Sequence, residues 1–172
     1  MNTFDDCIQA ALKDGDHNAL ADFLLEKEPW LQNRFAKQLQ LMTQKNMELQ
    51  KMDGSNIQNM IDYIQSFHLI RPNYWDYYGY NPERPDHRYK KTQIKRWLNG
   101  ENCPSREVIL QICLRMVLSR EDSDLLLRSA GYPALYIADM LDAIVIYYLK
   151  KYASRSHLSD EEFNEIKCRY NQ

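Results

Sequence analysis

Residues that can perform chemistry are few in this chain and lie far apart. The four histidines have no nucleophile or metal partner at a spacing that catalysis or metal binding needs; they are His17, His68, His87 and His157. Asp139 and Asp142 are three residues apart on one predicted helix, where two carboxylates ordinarily form a solvated face. No glycine-rich phosphate loop occurs in the sequence. These patterns predict a protein with no catalytic residue, metal or cofactor, which is therefore not an enzyme.

The cysteines and the apolar runs indicate the compartment in which the protein works. Four cysteines are scattered along the chain without a C-x-x-C pair, which argues against a structural zinc site and against a disulfide framework. The amino terminus has no basic region followed by an apolar run, so secretion is not expected. The longest apolar stretch, at about 143–149, is too short to cross a bilayer. We expect a soluble, cytoplasmic protein with no membrane partner.

Charge is distributed unevenly along the chain. The formal net charge is −2, from 22 Lys and Arg against 24 Asp and Glu. Residues 84–120 carry nine Lys and Arg against three Asp and Glu, whereas 1–83 and 121–172 are both net acidic. A basic segment between acidic arms can approach a phosphate backbone while the whole protein stays soluble. The alternative is a lysine-rich solvated helix face, and charge alone does not choose between the two.

The elements that carry these residues are predicted to be helices, because glycines are few and no sustained polar and β-branched alternation occurs. We predict helices at about 3–13, 18–28, 30–51, 56–69, 90–98, 105–117, 121–129, 136–152 and 160–170. A break is expected at Glu28-Pro29, since the residue before a proline disfavours the helical region. Gly54 is expected to close the preceding helix and Ser55 to cap the next one. The predicted fold class is all-α.

Two of these helices have apolar faces at helical spacing. In the helix at 30–51 the face consists of Phe35, Leu39, Met42 and Leu49. In the helix at 56–69 it consists of Ile57, Met60, Ile61, Ile64 and Phe67.

The chain is predicted to have an N-terminal helical extension at 1–53 and a second helical domain at 54–172. The helix at 30–51 can pack on that domain or pair with another copy in a dimer, and the sequence leaves both open.

The segment 70–89 differs from the rest of the chain, because it holds three prolines and many Tyr and Trp residues. It cannot be one regular helix, and we predict an irregular, aromatic-rich loop. Tyr and Trp rings give contact area and carry a polar tip, which makes a candidate protein-binding surface of Tyr74, Trp75, Tyr77, Tyr78 and Tyr80. The alternative is that the rings cover the core where a regular helix is missing.

The clearest pattern runs from Trp97 to Arg106, as Trp-Leu-Asn-Gly-Glu-Asn-Cys-Pro-Ser-Arg. Thr-Gln-Ile-Lys-Arg precedes it at 92–96, and Val-Ile-Leu-Gln-Ile-Cys-Leu follows at 108–114. A helix ending in x-x-Gly, a Pro-Ser turn and then a Leu- and Ile-rich helix resembles the repressor-type helix-turn-helix family, also called Cro-like or XRE. The continuation Leu-Leu-Leu-Arg-Ser-Ala-Gly-Tyr at 125–132 is similar to an extended branch of that family common in Gram-positive anaerobes.

The resemblance implies a repressor-like helix-turn-helix bundle in which a recognition helix around 90–98 reads the major groove of double-stranded DNA. Gly100 is expected to end that helix in a left-handed conformation, and Ile94, Trp97 and Leu98 are expected on its buried face. Such modules usually bind as dimers, so a homodimer is expected, with the interface on the helix at 30–51 or on the last helix.

The residues expected to contact DNA in a transcriptional regulator of this kind are Lys90, Lys91, Gln93, Lys95, Arg96, Asn102 and Arg106. Gln93 is expected to pair with an adenine edge, and Lys90 or Lys91 to reach guanine or phosphate. The side chains at 96, 102 and 106 are expected to hold phosphates, which position the protein without specifying sequence.

The chain departs from the family pattern just before the recognition helix. Ordinary members have a regular helix of the Gln-Glu-Glu-Leu-Ala type there, whereas this chain has the aromatic segment 70–89. Some proteins keep such a scaffold and use it to bind other proteins. The second hypothesis is therefore a protein-interaction adaptor on a degenerate helix-turn-helix scaffold, with 70–89 as its contact surface.

Overall fold

The computed structural model describes the backbone of residues 17–70 and 88–170, and the side chains of 33–70 and 88–166. The regular elements within these ranges are helices, as the sequence predicts. They are α1 (His17–Leu49), α2 (Ile57–Gln65), α3 (Lys91–Asn99), α4 (Arg106–Met116), α5 (Arg120–Ser129), α6 (Met140–Lys151) and α7 (Asp160–Tyr170). An isolated antiparallel bridge joins Ile70 to Arg88, so the two described stretches meet at their ends.

The centre of the fold is α4. Every residue from Val108 to Met116 is buried, so α4 lies in the interior of the fold. Phe35 and Leu39 of α1 are fully buried in the same core cluster. The apolar face of α1 from Phe35 to Met47 therefore packs within the chain rather than against a second copy.

The predicted break at Glu28-Pro29 is wrong, because α1 runs without interruption from His17 to Leu49 and contains Pro29. A proline inside a helix removes one hydrogen bond and costs about 3 kcal/mol. The long stretch of α1 that follows is anchored by its buried apolar face, and tertiary packing of this kind supplies most helical stability in proteins. A prediction made from Glu28 and Pro29 alone does not take this tertiary packing into account.

Two residues predicted to face the core are exposed instead. Leu49 is 73% exposed, since it is the last residue of α1; the buried residues of that turn are Asn46 and Met47. Ile57 is 37% exposed, since it begins α2 and the buried residues of that helix start at Met60. The other predicted core residues of the two helices are buried: Phe35, Leu39, Met42, Met60, Ile61, Ile64 and Phe67.

The connection between α1 and α2 also differs from the prediction. The left-handed residue after α1 is Lys51, with φ of 59°, and not Gly54. A glycine is needed at 54 for a different reason, because a Cβ atom there would lie 3.0 Å from the Cα atom of Gln44 in α1. The cap of α2 is Asn56 rather than Ser55, and its Oδ1 atom accepts a backbone hydrogen bond at 2.7 Å.

A buried amide ties α1 to three other parts of the fold. The Nδ2 atom of Asn46 donates to the carbonyl oxygens of Met116 at 3.0 Å and Ser156 at 2.8 Å. The hydroxyl of Tyr63 in α2 donates to the Oδ1 atom of Asn46. A buried polar group left without such partners costs about 1–3 kcal/mol, so these bonds fix the position of α1 along its neighbours.

Most of the predicted helix starts in the carboxyl-terminal half are confirmed by their caps. The hydroxyls of Ser119 and Ser159 accept backbone hydrogen bonds from α5 and α7 at 3.1 Å and 3.2 Å. The exception is α6, which begins at Met140 and not at Tyr136. Asp139 caps α6 by accepting a backbone hydrogen bond at 3.1 Å, so residues 136–139 belong to the connection from α5 and not to the helix.

Several predictions concern residues outside the described part of the chain. The helix expected at 3–13 lies there, as does His87. The candidate protein-binding residues lie there too: Tyr74, Trp75, Tyr77, Tyr78 and Tyr80. The boundary between 1–53 and 54–172 stays a prediction.

Candidate nucleic-acid interface

The helix predicted to read DNA is α3, and its inward side is apolar. Ile94, Trp97 and Leu98 are 1%, 3% and 0% exposed, as the sequence predicts. The ring of Tyr89 packs edge-on against Trp97 with centroids 4.9 Å apart, so the residue before the helix is also held. Because the apolar side of α3 is fixed in the core, the direction in which the opposite side of the helix faces is fixed as well.

The amino-terminal end of α3 is closed by one of the predicted DNA-contacting residues. The Oε1 atom of Gln93 accepts a hydrogen bond from the backbone amide of Lys90 at 2.9 Å. This bond satisfies an amide that the helix itself leaves unpaired. An adenine edge would take both the oxygen and the nitrogen of the amide, so Gln93 can pair with adenine only by releasing its cap.

The carboxyl-terminal end of α3 is supported by α1. Gly100 adopts the predicted left-handed conformation with φ of 76°, and a Cβ atom at this position would lie 2.5 Å from the Oδ1 atom of Asn33. The Nε2 atom of Gln40 donates to the carbonyl oxygen of Leu98 at 2.6 Å. Sequence reasoning did not identify these two α1 residues, because neither the type nor the spacing of Asn33 and Gln40 signals a contact with a helix so distant in the chain.

Four exposed cations lie in or next to α3: Lys90 directly precedes the helix, and Lys91, Lys95 and Arg96 lie within it. The Nε atom of Arg96 lies 3.7 Å from Glu101 Oε2, and the Nζ atom of Lys91 lies 2.9 Å from Asp62 Oδ1 on α2. In both pairs the side chains are about half exposed. Exposed ion pairs of this kind contribute little and are screened by salt, so an approaching phosphate can compete for both cations.

The carboxylate of Asp62 is the acidic group that borders the start of α3. The hydrogen bond from Lys91 holds the pKa of Asp62 below its ordinary value, so this group is ionised at neutral pH. A cavity of about 400 Å³ lies beside it and is lined by residues from both described stretches, including His68, Arg88 and Lys90. The amino-terminal edge of α3 therefore combines positive groups with one negative group.

Arg106, another predicted phosphate contact, is directed away from the outward side of α3. Its guanidinium makes a two-point ion pair with Asp142, with both N–O distances 2.8 Å, and reaches the carbonyl oxygens of Pro133 and Ala134. Asp142 is 1% exposed, so the expectation that its carboxylate is solvated is wrong. The reason is the ion pair with Arg106, which belongs to α4. The spacing of Asp139 and Asp142 does not predict this contact.

Two opposing effects act on the Asp142 carboxyl group. Burial works against ionisation and raises its pKa, but the hydrogen bonds from Arg106 and from the Tyr136 backbone amide outweigh burial and bring the pKa below its ordinary value. The same pairing raises the pKa of Arg106. The pair is ionised at neutral pH and holds the connection before α6 against α4.

Asn102 is the last of the predicted DNA contacts. It is partly buried, and its Oδ1 atom is buried with no hydrogen-bond partner within the described stretches. Its oxygen is therefore not presented on the surface. Of the seven predicted contacts, the lysine and arginine side chains at 90, 91, 95 and 96 are exposed, whereas Gln93, Asn102 and Arg106 are engaged or partly buried.

The thiol of Cys113 in the core is not a reactive group. Burial raises the pKa of the Cys113 thiol to about 12, so this thiol is protonated at neutral pH and is neither a nucleophile nor a metal ligand in that state. Within residues that the structure describes, no cluster of His, Cys, Asp and Glu is arranged to hold a metal ion.

Comparison of the chain with family models, curated proteins and solved structures finds no match. Among the described helices, none is long and apolar enough to span a membrane.

Proposed function

We propose that this protein is a DNA-binding transcriptional regulator that presents α3 to the major groove of double-stranded DNA. The observation that carries the proposal is the two-sided character of α3. Ile94, Trp97 and Leu98 fix one side in the core, and the cations at 90, 91, 95 and 96 are all exposed. A single α-helix fits the major groove, and clustered Lys and Arg supply the electrostatic attraction that nucleic-acid binding needs.

The four cations have different roles in this proposal. Lys91 and Lys95 are one helical turn apart and face the same direction, so they approach base edges or phosphates together. Arg96 lies nearer the carboxyl-terminal end of α3 and holds a phosphate. Gln93 serves mainly as the cap of the helix, and Arg106 serves the fold through Asp142.

Charge reversal on α3 tests the proposal. The triple variant Lys90→Glu, Lys91→Glu and Lys95→Glu should lose binding to double-stranded genomic DNA fragments in electrophoretic mobility shifts, because three phosphate-attracting groups become repulsive. Its thermal melting should stay close to that of the wild type, since all three side chains are exposed.

A matched control separates local contacts from total charge. The exposed lysines Lys45, Lys51 and Lys150 are changed together to Glu, which gives the same change in net charge away from α3. This control should retain most of the DNA affinity of the wild type. The proposal is overturned if the two triple variants bind DNA equally well, or if the wild-type protein binds no DNA at low salt.

An adaptor that binds another protein is the second candidate, and one specific observation favours it. Three apolar side chains beside the start of α6 are strongly exposed: Tyr136 at 65%, Ile137 at 65% and Met140 at 79%. Exposed apolar groups that lie together often mark a protein contact. A wild-type protein without DNA affinity would favour this candidate.

We also propose that the protein forms a homodimer. Size-exclusion chromatography with light scattering tests this proposal.

A further inference from the structure

The two helices that flank α3 differ in charge. Between Ile57 and Gln65, α2 has one charged residue, the acidic Asp62. The described side chains of α1 include Arg34, Lys37 and Lys45 against one acid, Glu48. Of these two helices, α1 therefore offers the more favourable charge to a polyanion lying on α3.

Contacts with α3 fix which side of α1 adjoins it. Asn33 approaches Gly100, and Gln40 donates to the carbonyl oxygen of Leu98. Lys37 lies four residues after the first of these and three before the second, and residues at that spacing share one side of a helix. The exposed side chain of Lys37 therefore stands next to the carboxyl-terminal end of α3, between two residues that touch it.

We propose that Lys37 of α1 is a further phosphate contact of the DNA interface, so that the bound duplex extends from α3 across α1 and away from Asp62. This inference rests on the proposed function. The acidic Asp62 already occupies Lys91 at 2.9 Å, which makes the α2 edge the less favourable path for a phosphate backbone. Lys37 continues the row of cations beyond Arg96 and its partner Glu101, and among the described side chains of α1 the first acid after it is Glu48.

Lys45 provides a matched control on the same helix. It is exposed like Lys37 but lies eight residues further along, beside a groove that it shares with Leu118 and Leu125. Removing either lysine changes the net charge equally. A long-range effect of charge would therefore appear in both variants, whereas a phosphate contact would appear in one.

The test is the salt dependence of binding to random-sequence duplex DNA by the full chain, measured by fluorescence anisotropy. Lys37→Ala should make the slope of log K against log salt less steep by about 0.9, which corresponds to about eightfold weaker binding at 0.1 M salt. Lys37→Arg should restore the slope, and Lys45→Ala should match the wild type. Circular dichroism melting verifies that the variants are folded.

The possible results separate this inference from the proposed function. If the wild type binds DNA and Lys37→Ala has the same slope as Lys45→Ala, the contact is absent while the role of α3 stands. If the wild type binds no DNA, both proposals fail. If Lys37→Arg behaves like Lys37→Ala, charge at this position is not what matters, and the phosphate contact is again overturned.

Discussion

Two arginines from the same basic segment have opposite environments. Arg96 on α3 is 60% exposed and lies 3.7 Å from an exposed carboxylate, whereas Arg106 at the start of α4 is 24% exposed and pairs at 2.8 Å with a buried one. They are ten residues apart and equal in any count of charge. The difference teaches that the charge available to a partner is set by what the fold places beside each cation.

The two environments also have different energetic roles. An exposed pair such as Arg96 with Glu101 adds little to stability and is screened by salt. A buried pair is different, because removing one partner leaves the other as an uncompensated charge. The exposed cations on α3 therefore remain accessible to a binding partner, whereas Arg106 stabilises the fold.

The largest expected effect is that of Arg106→Ala. It should lower the free energy of unfolding by about 3–5 kcal/mol, because Asp142 would remain buried without its partner. Urea denaturation followed by circular dichroism measures the loss. The double variant Arg106→Met with Asp142→Leu should lose less than the single variant, since no buried charge is left unpaired.

The double variant Arg106→Met with Asp142→Leu also tests the comparison between Arg96 and Arg106. If Arg106 serves only the fold, the folded double variant should bind DNA as the wild type does. Markedly weaker binding would show that Arg106 reaches a phosphate, and would end the distinction between the two arginines.

A smaller effect is expected at the glycine that ends α3. Gly100→Val should cost about 1–3 kcal/mol of unfolding free energy, because a β-branched residue is strained at φ of 76°. Gly100→Ala alone and together with Asn33→Ala separates the two causes. The contact with Asn33 disappears in the double variant, and the backbone strain stays. Melting temperatures equal to the wild type would contradict the left-handed end of α3.

The smallest expected effect is on the pH dependence of stability. Because the pKa of Asp142 is lower in the folded protein than in the unfolded chain, the ion pair stabilises fully above a pH of about 4 and loses this contribution as the pH falls further. The double variant Arg106→Met with Asp142→Leu should therefore lose less stability than the wild type between about pH 5 and pH 2. Urea denaturation at stepped pH measures both curves, and parallel curves would contradict the assignment.

Local patterns predicted the elements around α3 well. The buried Ile94, Trp97 and Leu98 and the left-handed Gly100 follow from residue type and spacing over one or two turns. In each case the cause is short-range, either the backbone freedom of glycine or the 3.6-residue period.

Features decided by distant contacts were not predictable in this way. The continuity of α1 through Pro29 depends on packing elsewhere along the helix, and the burial of Asp142 depends on Arg106. The candidate interface shows the same division. Its exposed lysines follow from helical spacing, and the cap made by Gln93 spans only three residues, but the position of Lys37 beside α3 emerges only when the helices are assembled.

The packing of α1 has a consequence for how the chain is made. Phe35, Leu39 and Met47 are buried in a core whose central helix ends at Met116, so the apolar face of α1 leaves the ribosome well before its partner exists. At translation rates of about 5–20 residues per second, the wait for the roughly 70 intervening residues is about 3–14 s. Throughout that time α1 must be shielded from other chains, and its dense Lys, Arg and Gln content on the remaining faces helps to keep the nascent segment soluble.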